Sequence, residues 1–305
     1  MRVGYIGLGA MGGALARHLV GKHSLTVFDL NKSIVNDFCA QGAKSASTCA
    51  ELASDCEVVI LCLPRSSDVK QVLFGPEGLA QGLSAGAVVI DQTSGVPGET
   101  YEFAQQLLKI GVSMLDAPVS GAITTASAGT IAIIASGPSE VFKKVEALLR
   151  DISPNVFYCG PRVGNGQTMK SVNNLMNVGC RLATLETVAL GRKLGLSLES
   201  LTEALNHTAG RTYTSQGMLP NIAAGRQSTK FHLALQVKDM NQAIMLGTAK
   251  GVPMPIAGVG RGLLQIGLNT LGPQSQLEEI IGLVERMAGT SFVASKNAPK
   301  DKVVS

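Results

Sequence analysis

The 305-residue chain has no tryptophan, and aromatic residues make up only 4% of it. Charged residues are also sparse, at 16%, and 26 basic against 22 acidic side chains leave a formal net charge of +4. A nucleic-acid-binding surface needs a basic stripe, usually interleaved with aromatic side chains that stack on bases. The sequence has neither. Its six cysteines, Cys39, Cys49, Cys56, Cys62, Cys159 and Cys180, form no Cys-x-x-Cys pair and have no histidine at ligand spacing. That argues against a zinc site and reads as six reduced thiols of a cytosolic protein. No apolar run approaches the roughly 18–20 residues that span a bilayer. The apolar N-terminus is broken by Gly4, Gly7, Gly9, Gly12 and Gly13, so it does not read as a signal peptide. The expectation is a soluble, cytoplasmic protein with no metal, membrane or nucleic-acid partner and no internal repeat.

What the chain does contain is apolar residues, 45% of the total, over a length that suffices for two hydrophobic cores. In the first half, short β-rich runs at 2–6, 25–29, 57–63, 87–91, 112–116, 130–136 and 155–159 alternate with helical stretches such as 11–20 and 139–150. Most of the runs are continuously apolar, as strands are when helices cover both faces of a parallel sheet. The alternation predicts an α/β domain, doubly wound and of Rossmann type, over residues 1–163. After about residue 160 the strand signal stops. Residues 164–196 hold no proline and read as one long helix, which joins the first domain to an all-α domain over 164–293 punctuated by Pro220, Pro253, Pro255 and Pro273. The polar stretch 294–305 reads as a flexible tail.

The first strand runs into Gly7-Leu8-Gly9-Ala10-Met11-Gly12 and then a helix. In that context a Gly-x-Gly-x-x-Gly string is a dinucleotide turn. Gly7 permits the tight bend, Gly9 lets the backbone approach a pyrophosphate, and Gly12 allows helix to pack closely on strand. Asp29 closes the next strand and can accept both ribose hydroxyls of NAD while repelling the 2′-phosphate of NADP. NAD is the expected cofactor, with NADP allowed by the neighbouring cation of Lys32. Ligands of such sheets bind at the carboxyl ends of the strands. This makes Leu63, Pro64 and Ser94 candidates for lining the nicotinamide half, with ordinary loop-starting roles as the alternative.

Residues 164–174, GNGQTMKSVNN, place Lys170 one helical turn before Asn174, on the same face, with Asn173 beside them. Such side chains need polar partners once water is removed, which suggests a polar pocket opening toward the cofactor domain. A solvated lysine at a helix start is the bland alternative.

Four separated motifs, GLGAMGG (7–13), DAPVSG (116–121), GNGQTMKSVNN (164–174) and FHLALQVKDMNQA (231–243), resemble those of the β-hydroxyacid dehydrogenase family, typified by 3-hydroxyisobutyrate dehydrogenase. The likeness runs from Met1 to about Phe292. It implies an oxidoreductase that passes a hydride between NAD(P) and a small 3-hydroxy acid or semialdehyde, assembled as a homodimer or homotetramer. It assigns the acid/base to Lys170, substrate orientation to Asn174 and the substrate carboxylate to Ser120 and Gly121. Lys238, accompanied by Asp239, falls near the cofactor, although the two also read as a surface ion pair. Lysine suits the acid/base role because burial disfavours its ammonium. Many members carry a second glycine where this chain has Ala122, a departure beside the carboxylate site that leaves the substrate open among 3-hydroxyisobutyrate, serine, glycerate, threonate and tartronate semialdehyde. Three rivals stand beside this reading: an imine reductase of related architecture, in which that lysine is replaced, a sugar-acid phosphate dehydrogenase, which is expected to be longer, and a non-catalytic dinucleotide sensor, which has no use for an acid/base.

Overall fold

Strands β1 (Arg2–Ile6), β2 (Ser24–Phe28), β3 (Lys44–Ser45), β4 (Val58–Leu61), β5 (Val88–Asp91) and β6 (Ser113–Asp116) form one parallel sheet in the computed structural model. The structure describes residues 1–229 and 231–293. The strand order is β3-β2-β1-β4-β5-β6. The chain moves outward from β1 to β3 and then returns to β4, so the order reverses between β1 and β4, where such sheets open their ligand crevice. Every residue of β4 and β5 is buried. Alternate residues of β4 feed the two faces: Val58 and Ile60 pack with one core, Val59 and Leu61 with the other.

Helices α1 (Ala10–Ala16) and α2 (Lys32–Cys39) cover the first face through Leu15, Val35 and Phe38. Helices α3 (Cys49–Ser54), α4 (Ser66–Phe74) and α5 (Pro97–Leu108) cover the second through Leu52, Val69, Leu73 and Phe103. Local signals set their starts. The Asn31 and Thr48 side chains cap α2 and α3, and Pro97 opens α5, where a missing N–H costs nothing.

The apolar runs at 130–136 and 155–159 do not extend this sheet. They form β8 (Ala132–Ala135) and β9 (Val156–Tyr158) of a separate three-stranded sheet with β7 (Val119–Ser120), in the order β7-β8-β9. Pro118 comes two residues after the end of β6 and has no N–H to give a ladder, which favours a break there. Helix α6 (Ile123–Ser127) follows β7, and α7 (Ser139–Ile152) lies between β8 and β9, burying Phe142, Val145, Leu148, Leu149 and Ile152.

The long helix is α8 (Asn165–Lys193), of 29 residues. It is followed by α9 (Leu198–Asn206), α10 (Tyr213–Ala223), α11 (Leu233–Ala249), α12 (Pro255–Leu271) and α13 (Ile280–Ala288). Pro255 opens α12, but Pro220 lies inside α10 and does not end it. Val178, Leu185 and Val188 of α8 share a core with Leu219, Leu233, Met240, Leu264 and Ile280. The described residues divide into two compact units, the first Met1–Lys170 and the second beginning at Ser171, so that α8 contributes to both. The tail expected over 294–305 lies outside the described residues. Among the described residues, no helix is long and apolar enough to cross a membrane.

Candidate active site

The glycine turn has the local geometry its spacing predicts. Gly7 adopts φ +93°, and a Cβ there would strike the Cys62 carbonyl. A Cβ on Gly12 would strike the Gly7 carbonyl and press on Cys62 Cβ. Gly9 differs: nothing lies within 4 Å of where its Cβ would be. Two glycines are therefore demanded by the protein itself, and the third leaves a clear approach to backbone. Helix α1 starts behind Gly9 with no side chain capping it, so its first N–H groups remain for an anion. Beside the turn, between α1, α2 and α6, lies a space of about 330 Å³ walled by Leu8, Gly9, Ala10, Arg17, Asp37 and Ile123.

Asp29 follows β2 directly. Its Oδ2 accepts from the Leu8 N–H at 2.7 Å and its Oδ1 from the Asn31 N–H at 2.8 Å. The carboxylate is thus aimed at the glycine turn, and each oxygen keeps a lone pair for a ribose hydroxyl. Lys32 Nζ stands 5.4 Å from the centroid of the Phe28 ring. Ala10 and Met11 begin α1. These features fit a dinucleotide: an open cradle at Gly9, uncapped amides beside it and an oriented acid at the neighbouring strand end.

The loops after β4 and β5 are joined to each other. The Leu63 N–H donates to Thr93 Oγ1 at 3.0 Å, and the Thr93 N–H donates to Asp91 Oδ1 at 2.9 Å. Ser94 is half-buried and Pro64 exposed at the ends of this linkage. Beneath them lies a buried polar cluster that sequence reasoning missed. Tyr5 donates to Gln92 Oε1 at 2.7 Å. Burial pushes Asp91 up to about 7 and Cys62 up to about 12, with Asp91 adding to the shift at Cys62.

Ser120 ends β7, and Gly121 takes φ +153°, where a Cβ would lie 2.5 Å from Thr125 Oγ1 and 2.9 Å from Ile131 Cγ1. The divergent Ala122 is the N-cap residue of α6.

The start of α8 is held by Asp116. Its Oδ1 accepts from the Gly164 N–H at 2.7 Å and from the Ser136 hydroxyl, and its Oδ2 accepts from the Gln167 N–H at 2.8 Å. Ser136 Oγ in turn accepts from the Gly166 N–H at 2.9 Å. Burial pushes the Asp116 carboxyl above its ordinary value, while these bonds favour its ionised form. The helix starts at Asn165, and the orphan amides of its first turn are met by different acceptors: the Arg162 carbonyl for Asn165, Ser136 Oγ for Gly166 and Asp116 for Gln167. Gln167 is also buried, with Oε1 on the Gly95 N–H at 2.9 Å and Nε2 on the Thr93 carbonyl at 2.7 Å. Lys170, half-buried, comes one turn later and is the last residue of the first unit.

In the second unit, Asn174 Nδ2 donates to Asp239 Oδ2 at 3.0 Å. Lys238 Nζ meets Asp239 Oδ1 at 3.2 Å, so the Lys238–Asp239 ion pair exists and Asp239 also orients Asn174. Further along α8, Arg181 is buried against Asn177 and Gln236, and burial pulls its guanidinium down to about 10. It falls at the helical spacing of Val178, Leu185 and Val188, but a charged side chain does not read as core. Asp116 and Gln167 did lie within recognisable motifs, but their roles are invisible without the partners they meet in three dimensions. Among the described residues, no group of three or more histidine, cysteine or acidic side chains could hold a metal ion.

Comparison with known proteins agrees with these features along the chain. Residues 2–160 match the NAD binding domain of 6-phosphogluconate dehydrogenase, and residues 164–284 match the NAD-binding region of NADP-dependent 3-hydroxyisobutyrate dehydrogenase. The 2-(hydroxymethyl)glutarate dehydrogenase of Eubacterium barkeri is 32% identical over 295 residues, 95% of this chain and 97% of that protein. The solved 3-hydroxyisobutyrate dehydrogenase from Salmonella typhimurium is 26% identical, with a TM-score of 0.81 over 92% of this chain and 99% of its own. An imine reductase from Streptomyces aurantiacus, 23% identical over 92% of this chain and 98% of its own, shares the fold at a TM-score of 0.61. With dinucleotide turn, strand-end acid and both halves of the chain matched in order, this protein belongs to the β-hydroxyacid dehydrogenase family and is an NAD(P)-dependent oxidoreductase.

Proposed function

We propose that the enzyme interconverts a small 3-hydroxy acid of the 3-hydroxyisobutyrate type and its semialdehyde, with Lys170 as the acid/base. The observation that carries this reading is the placement of Lys170. It lies one turn into a helix whose first turn is bonded through buried groups to the ends of β5 and β6, in the same unit as the dinucleotide turn. The nicotinamide cofactor supplies a hydride acceptor in one direction and a donor in the other. Lys170 takes the proton of the β-hydroxyl as the carbinol becomes a carbonyl, and returns it to the alkoxide in reverse. Backbone amides at Ser120 and Gly121 hold the substrate carboxylate. Asn174, oriented by Asp239, fixes the hydroxyl-bearing carbon. Gly7, Leu8, Gly9, Ala10, Met11, Gly12 and Asp29 bind the adenosine and pyrophosphate, and Leu63, Pro64 and Ser94 line the nicotinamide half. Lys238 serves the cofactor through its charge.

Asp29 makes NAD the preferred cofactor. Residues 1–163 act as the dinucleotide domain and 164–293 as the substrate and oligomerisation domain of a cytoplasmic homodimer or homotetramer. Exposed Met176, Leu190, Met245, Ile256 and Val259 on the helices of the second unit support self-association. A lysine at position 170 also disfavours an imine reductase or a silent dinucleotide sensor.

The test is turnover of a panel of 3-hydroxy acids and semialdehydes, with Lys170→Ala beside the unaltered enzyme. The variant should lose about 10²- to 10⁴-fold in turnover, the usual range for a general acid–base. NAD binding should be preserved. A folded variant with near-normal turnover refutes the mechanism.

A further inference from the structure

Gln167 is 1% exposed and sits on the first turn of α8, three residues before Lys170. Its amide makes two bonds of opposite sense to one loop, accepting from the Gly95 N–H at 2.9 Å and donating to the Thr93 carbonyl at 2.7 Å. Those partners flank Ser94. The bonds continue beyond Thr93, whose hydroxyl accepts from the Leu63 N–H at 3.0 Å next to Pro64. The backbone of Gln167 is held independently by Asp116 at 2.8 Å. One buried side chain therefore links both strand-end loops to the helical turn that bears Lys170.

We propose that Gln167 is a positioning residue, whose amide sets the amino group of Lys170 against the nicotinamide side of the cofactor site at Leu63–Pro64 and Ser94. The inference rests on Lys170 being the acid/base. The chemistry explains the residue type. The loop presents one N–H and one carbonyl, so the side chain must accept and donate at once over a span of two backbone groups. A carboxylate cannot donate, an ammonium cannot accept, and a hydroxyl is too short. Proton and hydride must leave the same carbinol, so a displacement of about 1 Å between their acceptors costs up to about 10²-fold in rate.

Two variants of the full-length enzyme test this, with 3-hydroxyisobutyrate as the substrate probe. Gln167→Met keeps the bulk and removes both bonds. Its turnover should fall by about ten- to a hundredfold, while calorimetry shows an unchanged Kd for NAD. Gln167→Glu retains both bonds only while the introduced carboxyl is protonated. Its kcat should approach normal at acid pH and fall as pH rises through that ionisation, a limb absent from the unaltered enzyme. Should Gln167→Met not fold, the pH profile of Gln167→Glu decides alone. The proposal is overturned if Gln167→Met turns over normally, or if NAD affinity falls in proportion to kcat, which would mean that the residue only builds the cofactor site. It is equally overturned if the Gln167→Glu profile parallels that of the parent. Normal turnover in Lys170→Ala would instead overturn the underlying reading, so the two failures are separable.

Discussion

A carboxyl held near neutrality inside a sheet makes stability depend on pH in an unusual sense, and Asp91→Asn isolates that effect. Asp91 is 1% exposed at the end of β5, pairs in register with Asp116 of β6, and accepts from the Thr93 N–H through Oδ1. Burial raises it from 3.8 to about 7, and Asp116 adds a smaller push in the same direction. The native state thus keeps a proton that the unfolded chain releases near pH 4. Between those values the unfolded state binds fewer protons, so Asp91's contribution is fully present below the unfolded pKa and is lost as pH rises toward 7. At about 1.36 kcal/mol per tenfold change in proton affinity, the loss totals about 4 kcal/mol. Asparagine retains the acceptor for the Thr93 N–H and cannot ionise. The variant should therefore match the parent near pH 4 and exceed it by up to about 4 kcal/mol near pH 8. Urea unfolding followed by far-ultraviolet circular dichroism measures this without tryptophan, and the difference between the two proteins removes the titrations that are not coupled to Asp91, as those of Asp116 and Cys62 are. If Asp91→Asn is less stable than the parent at about pH 8, Asp91 is ionised and well satisfied there, and the argument fails.

Other expectations concern the dinucleotide site. Asp29→Asn should shift the preference from NAD toward NADP by removing an anion from the site of the 2′-phosphate; kinetics with both cofactors check it, and a parent that favours NADP contradicts the assignment. Gly9→Ala should leave folding stability within about 0.5 kcal/mol, because nothing surrounds its Cβ position, yet weaken NAD binding measurably in calorimetry. Gly12→Ala should instead lower the melting temperature, since its Cβ would meet the Gly7 carbonyl; equal behaviour of the two variants would refute the separation of roles.

Runs such as Val58–Leu61 were legible as strands because helices bury both faces of a parallel sheet and leave no polar position to confuse the pattern. The second sheet was not legible as a separate body. Its first strand is two residues long, and its pairing of Ser120 with Ala132 is a matter of register that composition does not encode. Lys170 and Asn174 could be singled out because polar side chains at helical spacing stand out in sequence. Asp116 and Gln167 bond mainly to backbone groups, which every residue possesses, at separations of 51 and 72 positions for their bonds to each other and to Gly95. Nothing in the identity of those partners signals them in advance. Arg181 was overlooked for a different reason: a lone arginine normally reads as solvated, and only the folded chain reveals its burial.

The way the six-stranded sheet ends bears on how the polypeptide behaves in crowded solution. An open parallel sheet has two rims, each of which can recruit a strand from another molecule and seed aggregation. Here one rim is β3, just Lys44 and Ser45, both exposed, with a charged side chain on a strand too short to template a partner. The other rim, β6, is met at its end by Ser136, which exchanges both backbone bonds with Asp116 in an isolated antiparallel bridge. The small second sheet therefore acts as a stopper at the end of β6. Loosening it should expose a sticky edge and raise turbidity on warming.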